Sequence, residues 1–254
     1  MSTGQMIFLG AIAGFTIFLG LPIARIKNPP RTLQGFLNAV STGILFFLLY
    51  DVLSKAIEPV NSALTHRYIG SFVVNLIVLI AGLTVGLLAL VFFEQRFLRR
   101  EPGSAPSGTS LGYMIASGIG MHNFSEGLAI GQAASTGAIQ LAVLLIVGFG
   151  LHNMTEGFGI SAPLAGSASW RFIGLAGLIG GGPTFLGTLL GISFQADFVY
   201  VLFLSLAAGS IIYVLSQLLP LIRRAQMQQL VMTGLVIGFT IAYGTDLVLV
   251  ATGA

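Results

Sequence analysis

The chain of 254 residues contains no cysteine. This absence excludes disulfide bonds and thiolate ligands, so a metal site here must use nitrogen and oxygen donors, which disfavours copper(I). The chain also has only three histidines. That number is too small for the histidine-rich centre of a membrane di-iron hydroxylase.

Charged residues are scarce as well. They make up 7% of the chain, whereas 55% of the residues are hydrophobic, and a soluble domain carries about 25% charged residues. This composition cannot cover a water-exposed surface, and it predicts an integral membrane protein in contact with the lipid bilayer. The net charge of +3 comes from basic residues in short loops, which indicates membrane orientation and no nucleic-acid partner.

Long apolar runs dominate what remains. A helix needs about 20 apolar residues to cross the hydrocarbon core, and the sequence predicts eight such spans. The predicted fold class is therefore all-α integral membrane, with a single transmembrane transport domain over residues 1–254. The spans are expected at roughly 6–24, 33–55, 69–93, 111–132, 138–161, 171–192, 198–219 and 229–250.

The basic residues orient these spans. Nine of the eleven lysines and arginines fall on one side if the spans alternate, which is the positive-inside bias of a cytoplasmic face. We therefore predict that both termini lie outside the cytoplasm. The protein is expected in the inner membrane of a prokaryote. The Pro/Gly/Ser-rich stretch 101–110 is predicted to be a short cytoplasmic linker. The nine residues are Arg25, Lys27, Arg31, Arg96, Arg99, Arg100, Arg171, Arg223 and Arg224.

One polar motif occurs twice inside the apolar sequence. His-Asn-Phe-Ser-Glu-Gly at 122–127 recurs as His-Asn-Met-Thr-Glu-Gly at 152–157, near the middle of the fourth and the fifth span. Histidine and glutamate are four residues apart in each copy, so they share one helix face. Successive spans run antiparallel, and the two copies meet at similar depth. This predicts a divalent metal site, with Zn²⁺ as the first candidate, built from His122, Glu126, His152 and Glu156.

The energetics favour a cation at this place. A carboxylate at the bilayer centre costs about 2.5–3.5 kcal/mol on insertion scales, and two neighbouring carboxylates also repel. One of them is therefore expected to hold a proton until a metal binds. Metal loading should then release protons, which makes proton coupling a hypothesis. A buried histidine or glutamate alone has an ordinary structural explanation, but the two spans contain no basic partner for the glutamates.

Other polar residues in the spans allow two interpretations each. Asn123 and Asn153 are either further metal ligands or hydrogen-bonding residues between helices. Asp51 either pairs with Lys55 or attracts cations at the entry. The remaining candidates for the pathway have packing roles as their alternative; they are Gln217, Gly182 and Pro183.

The two motif copies resemble the fourth- and fifth-helix signatures of the ZIP (Zrt/Irt-like) metal transporters. Eight spans, outer termini and a linker after the third span are similar to that family as well. The resemblance implies uptake of Zn²⁺, and in some members Fe²⁺, Mn²⁺ or Cd²⁺, by alternating access. It also implies a homodimer and a second ion bound partly by Asn123 and Asn153.

The sequence departs from the family pattern at a few positions. Ser125 and Thr155 stand where proline often precedes the motif glutamate, so either the helices kink less there or the two hydroxyls bond back to the preceding turn. Gly182 precedes Pro183 where the family often has glutamate, which removes a ligand of a second site. Lys55 stands where many members have an acid, which makes the entry less attractive to cations.

Two rival functions stay open at this point. A membrane-embedded metal-dependent hydrolase would use a metal-bound water as nucleophile, but the HExxH motif of intramembrane zinc proteases is absent. Four protein ligands would also leave no position for water, so we do not expect an enzyme. The other rival is a transporter of an organic solute in which the metal is structural.

Overall fold

The protein is described by a computed structural model. It describes residues 3–26, 30–93, 95–96, 107–135, 139–164, 168–193, 197–223 and 227–251. Within these ranges all regular structure is helical and no strand occurs. The predicted linker 101–110 falls mostly outside the described residues, and its last three residues already belong to a helix.

The first span consists of three pieces. Helix α1 (Thr3–Phe15) and helix α2 (Ile17–Gly20) are separated at Thr16, and a 3₁₀ segment (Leu21–Arg25) follows. The Thr16 hydroxyl donates to the carbonyl of Ala13 at 2.6 Å. The other helices are α3 (Arg31–Thr65), α4 (Ile69–Phe93), α5 (Gly108–Ser135), α6 (Ile139–Ser161), α7 (Trp170–Gly191), α8 (Asp197–Arg223) and α9 (Gln228–Ala251).

Helix α3 is longer than the span expected from the sequence. Pro59 falls between the predicted spans 33–55 and 69–93, but it lies inside α3, which continues to Thr65. The helix ends where Arg67 adopts a left-handed backbone conformation with φ of 57°. The extra turns extend beyond the length that a bilayer requires, so helix ends do not mark the membrane surfaces, and the span boundaries stay predictions.

Six helical segments of the described chain are long and apolar enough to cross a membrane by length and composition. The motif-bearing helices α5 and α6 are not among them. In α5, His122, Asn123 and Glu126 interrupt the apolar sequence in mid-helix. The six segments are Ile7–Arg25, Arg31–Thr65, Ile69–Phe92, Trp170–Gly191, Phe198–Pro220 and Gln228–Leu247.

The helices pack as two groups. Helices α1, α2, α5, α6 and α7 pack mainly on one another, and we call them the motif group. Helices α3, α4, α8 and α9 form what we call the frame group. The groups meet where α5 packs on α8 and where α6 packs on α3 and α9. Where α6 packs on α3, the Ser41 hydroxyl of α3 donates to the carbonyl of Gly159 in α6 at 2.7 Å.

Helices α5 and α7 approach each other so closely that glycine is required. A Cβ atom at Gly127 of α5 would collide with the carbonyl oxygen of Thr184, and one at Gly187 of α7 would collide with that of Phe124. Small residues allow such backbone contact between membrane helices. The contact fixes the position of α5 just where the first motif copy lies.

Candidate metal centre

The two motif copies meet inside the protein. The imidazole rings of His122 and His152 have centroids 5.8 Å apart. Both side chains are buried, as are those of Glu126 and Glu156. The antiparallel arrangement of α5 and α6 thus brings together all four residues predicted from the i,i+4 spacing.

Three of the four residues form the tightest group. Each of them offers one ligand atom, and these three atoms lie within 4.8 Å of one another; the residues are His122, His152 and Glu156. Glu126 joins through its own motif partner, since its Oε1 lies 3.1 Å from Nε2 of His122. In the second copy, the distance from Nε2 of His152 to Oε1 of Glu156 is 3.6 Å. The histidine and the glutamate are therefore closer together in the first copy than in the second.

Several ligand atoms in this group have no hydrogen-bond partner in the described part of the chain. A buried polar atom without a partner costs about 1–3 kcal/mol, so a cluster of them requires an explanation. A divalent cation would satisfy them together, because imidazole nitrogens and carboxylate oxygens are ligands for zinc and similar metals. These atoms are both ring nitrogens of His122, Oε2 of Glu126, Nε2 of His152 and Oε1 of Glu156.

Asn123 orients one of the carboxylates. Its Nδ2 lies 2.9 Å from Oε2 of Glu156, 2.6 Å from Oδ1 of Asn153 and 3.0 Å from the carbonyl of Gly180. All three neighbours are acceptors, so the amide nitrogen must face them. The interaction occupies one oxygen of Glu156 and leaves Oε1 directed at the centre.

Asn153 connects the centre to the first span. Its Nδ2 donates to the carbonyl of Ala13 at 3.0 Å, and its Oδ1 accepts from Asn123. The two asparagines therefore connect α1, α5, α6 and α7. The hydrogen-bonding interpretation of Asn123 and Asn153 describes what is observed, and their role as metal ligands stays a prediction.

The two hydroxyls that replace proline differ. Thr155 Oγ1 donates to the carbonyl of His152 at 2.7 Å, so it bonds back to the preceding turn as expected. Ser125 Oγ is buried and has no hydrogen-bond partner among the described residues. The two copies are thus equivalent in sequence and different in their surroundings.

Asp51 and Lys55 form the expected ion pair on α3. Lys55 Nζ lies 2.8 Å from Asp51 Oδ2, and the Asp51 side chain is 9% exposed whereas that of Lys55 is 32% exposed. The Lys55 ammonium offsets the negative charge of the Asp51 carboxylate. Its role at the pathway entry stays a prediction.

Two of the other pathway candidates, Gly182 and Pro183, lie on α7. Pro183 lies inside α7, and the helix continues through it, so the proline removes one backbone hydrogen-bond donor without interrupting the helix. The carbonyl of Gly180, three residues before Pro183, accepts a hydrogen bond from Asn123. A side chain at Gly182 would meet no heavy atom within 4 Å at its Cβ, so a larger residue would not clash there.

Gln217 lies away from the centre. Helix α8 runs antiparallel to α5, because Phe203 packs on Phe124 and Ser210 lies next to Gly118. Gln217 is half-buried seven residues beyond Ser210, a distance of roughly 10 Å along the helix. Its role in lining an exit stays a prediction.

Sequence reasoning missed Thr245. Its Oγ1 lies 3.5 Å from Nδ1 of His152. Thr245 is near the end of the last span, 93 residues from His152, and nothing in its local sequence distinguishes it from other threonines. Only the packing of α9 on α6 brings the two together.

The helices and the buried cluster define a polytopic membrane protein with a histidine–carboxylate site between two antiparallel spans. A family model described as ZIP Zinc transporter matches residues 98–245, which include both motif copies. The chain belongs to the ZIP zinc transporter family. A search of curated proteins found no match.

This membership confirms several predictions from the sequence. The protein is an all-α integral membrane protein, and it transports a divalent metal ion across the bilayer. The hydrolase alternative has no support, since the family is one of transporters.

Proposed function

We propose that His122, Glu126, His152 and Glu156 bind Zn²⁺ as the transported ion. The observation that carries this proposal is that ligand atoms of His122, His152 and Glu156, from two helices, lie within 4.8 Å of one another, and that several of them have no hydrogen-bond partner among the described residues. Four nitrogen and oxygen donors match the coordination number that zinc prefers. Fe²⁺, Mn²⁺ and Cd²⁺ use overlapping ligand sets and are the competing cargoes.

The charge balance supports a divalent ion. Two buried glutamates bring two negative charges when both are ionised, and a single M²⁺ neutralises them. The Asp51–Lys55 pair is already neutral by itself, so it adds no net charge to the site. A monovalent ion would leave the second carboxylate either protonated or unpaired in the low-dielectric interior, and the unpaired state is strongly unfavourable.

We further propose that the ion moves toward the cytoplasm by alternating access. The motif group carries both motif copies, and the frame group contacts it along seams at α5–α8, α3–α6 and α6–α9. A displacement of one group against the other would open the centre to either side in turn. The nine basic residues on one side support a cytoplasmic linker and outer termini in a prokaryotic inner membrane.

We infer that the protein is a carrier and not an enzyme. With four protein ligands, the tetrahedral shell of zinc has no open position for a water nucleophile, whereas catalytic zinc sites keep one. Each subunit contains a complete set of these ligands. The homodimer proposed on the family resemblance is therefore not needed to build the site.

Competition uptake into proteoliposomes tests the cargo. We expect saturable Zn²⁺ uptake, inhibition by Cd²⁺, Fe²⁺ or Mn²⁺ in proportion to their affinity, and loss of uptake in Glu126→Ala. Glu58→Ala is the matched control, because Glu58 is an exposed glutamate on α3. Uptake by Glu126→Ala equal to that of Glu58→Ala would contradict the proposed site.

Cysteine labelling tests the orientation. The chain has no cysteine, so a single cysteine introduced at Ser2 or at Ser104 reacts alone. We expect an impermeant maleimide to label Ser2→Cys from outside intact cells and Ser104→Cys only after the membrane is opened. The reverse pattern would overturn the proposed topology.

A further inference from the structure

Thr245 of α9 lies next to the imidazole of His152. Its hydroxyl donates to the carbonyl of Ala242 at 2.7 Å. A hydroxyl has one hydrogen, so toward His152 its oxygen can only accept. The distance from Thr245 Oγ1 to Nδ1 of His152 is 3.5 Å, longer than the roughly 2.7–3.2 Å of most N–H···O hydrogen bonds, so this contact is weak. An acceptor beside Nδ1 favours the tautomer with the hydrogen on Nδ1, which leaves the lone pair on Nε2.

Nε2 is the atom that faces the centre. It is buried, lies 3.6 Å from Oε1 of Glu156 and has no hydrogen-bond partner within the described ranges. Metal-ligating histidines almost always donate their other ring N–H to an outer acceptor, which fixes the tautomer and the ring orientation. We propose that Thr245 is a positioning residue that presets His152 as a ligand. This inference rests on the proposed function of His152 in binding the ion.

His122 has no comparable partner. Neither of its ring nitrogens makes a hydrogen bond in the part of the chain that the structure describes. Its Nε2 instead lies 3.1 Å from Oε1 of its own motif partner, Glu126. The two histidines are therefore unequal although their motifs are copies. His152 is oriented before the ion arrives, and His122 takes its orientation from the ion.

The Thr245 contact also crosses between the two helix groups. Thr245 lies on α9 of the frame group, and His152 lies on α6 of the motif group. If the groups shift during transport, the hydroxyl leaves the imidazole and the preset tautomer is lost. Thr245 thus strengthens ion binding in the arrangement described here and has no such effect in the other.

Substitutions of two threonines on α9 test the role. Thr245→Val removes the acceptor and keeps the shape, and Thr245→Ser restores the hydroxyl. Thr233→Val is the matched control, because the exposed Thr233 hydroxyl bonds only along its own helix, to the carbonyl of Gln229 at 2.9 Å. In Zn²⁺ uptake by proteoliposomes, we expect KM to rise about 10-fold or more in Thr245→Val. Thr245→Ser and Thr233→Val should behave as the unmodified protein.

A spectroscopic measurement separates positioning from a general packing defect. With only three histidines in the chain, ¹⁵N-histidine labelling gives a simple spectrum, and His66→Gln removes the one outside the centre. We expect the Nδ1–H tautomer at His152 in the metal-free protein and a mixture of tautomers in Thr245→Val. An Nε2–H tautomer in the unmodified protein would overturn the inference.

The uptake experiment also distinguishes this inference from the proposed function. If Thr245→Val and Thr233→Val have the same KM while His152→Ala is inactive, Thr245 has no positioning role and the metal site stands. If His152→Ala transports like the unmodified protein, the proposed site itself is wrong, and the role of Thr245 is lost with it.

Discussion

Asn123 Nδ2 donates to Glu156 Oε2 at 2.9 Å, across the interface between the two motif helices. The same amide contacts the Asn153 side chain and the carbonyl of Gly180. One residue of the first motif copy thus determines which carboxylate oxygen of the second copy is left for the ion.

Removing this amide should impair both stability and transport. In Asn123→Ala, three buried acceptors lose the two N–H groups that they share, and each acceptor left unsatisfied costs about 1–3 kcal/mol. We expect a clear fall in thermal stability in detergent and at least a 10-fold fall in Zn²⁺ affinity, since outer partners of metal ligands typically have effects of about 10–100-fold. Asn75→Ala on α4 is the control, because Asn75 is also buried in a membrane helix. Equal Zn²⁺ affinity in the two variants would count against the role of Asn123.

Metal binding should release protons. Two carboxylates in one buried site repel each other, and we expect the site to hold a proton until a cation binds. Zn²⁺ requires both as carboxylates. Protons compete with the ion, so lowering the pH should weaken Zn²⁺ binding. The check is acidification of weakly buffered detergent solution on addition of Zn²⁺, and its loss in the double variant Glu126→Gln/Glu156→Gln. Proton release by that double variant, equal to the unmodified protein's, would place the protons elsewhere.

Breaking the ion pair on α3 should destabilise the protein. Lys55→Met leaves the buried Asp51 carboxylate unpaired, which costs roughly 1–3 kcal/mol, less than for a fully buried pair because Lys55 is partly exposed. The double variant Asp51→Asn/Lys55→Met should recover most of the loss. Thermal unfolding in detergent measures both. A single variant as stable as the double one would show that the pair contributes nothing.

Two glycines of α7 should respond in opposite ways to alanine. In Gly187→Ala the new methyl group meets the carbonyl of Phe124, whereas at Gly174 it meets no heavy atom within 4 Å. We expect Gly187→Ala to lower the thermal stability and to reduce transport, since α5 must move away from α7. Gly174→Ala should be neutral or stabilising by up to about 1 kcal/mol, the helix-propensity difference. Loss of stability of the same size at both sites would refute close packing as the cause.

Much of the site was predictable from local spacing. The i,i+4 relation in each motif copy places histidine and glutamate on one helix face without any knowledge of the fold, and the Asp51–Lys55 pair follows from the same rule. The direction of the Asn123 amide was not predictable, because it depends on acceptors supplied by α6 and α7. The continuation of α3 through Pro59, between the second and third predicted spans, was not expected from the apolar runs.

The amino-acid sequence by itself determined that this protein lies in a lipid membrane, that it is helical, and which ligand types its ion site contains. Those properties depend on hydropathy and on periodicity within single helices, which are local. Only the tertiary structure decided that the two motif copies are unequal, because their difference comes from residues far along the chain. Thr245 reaches His152 and not His122 because α9 packs on α6, and no local pattern contains that neighbour.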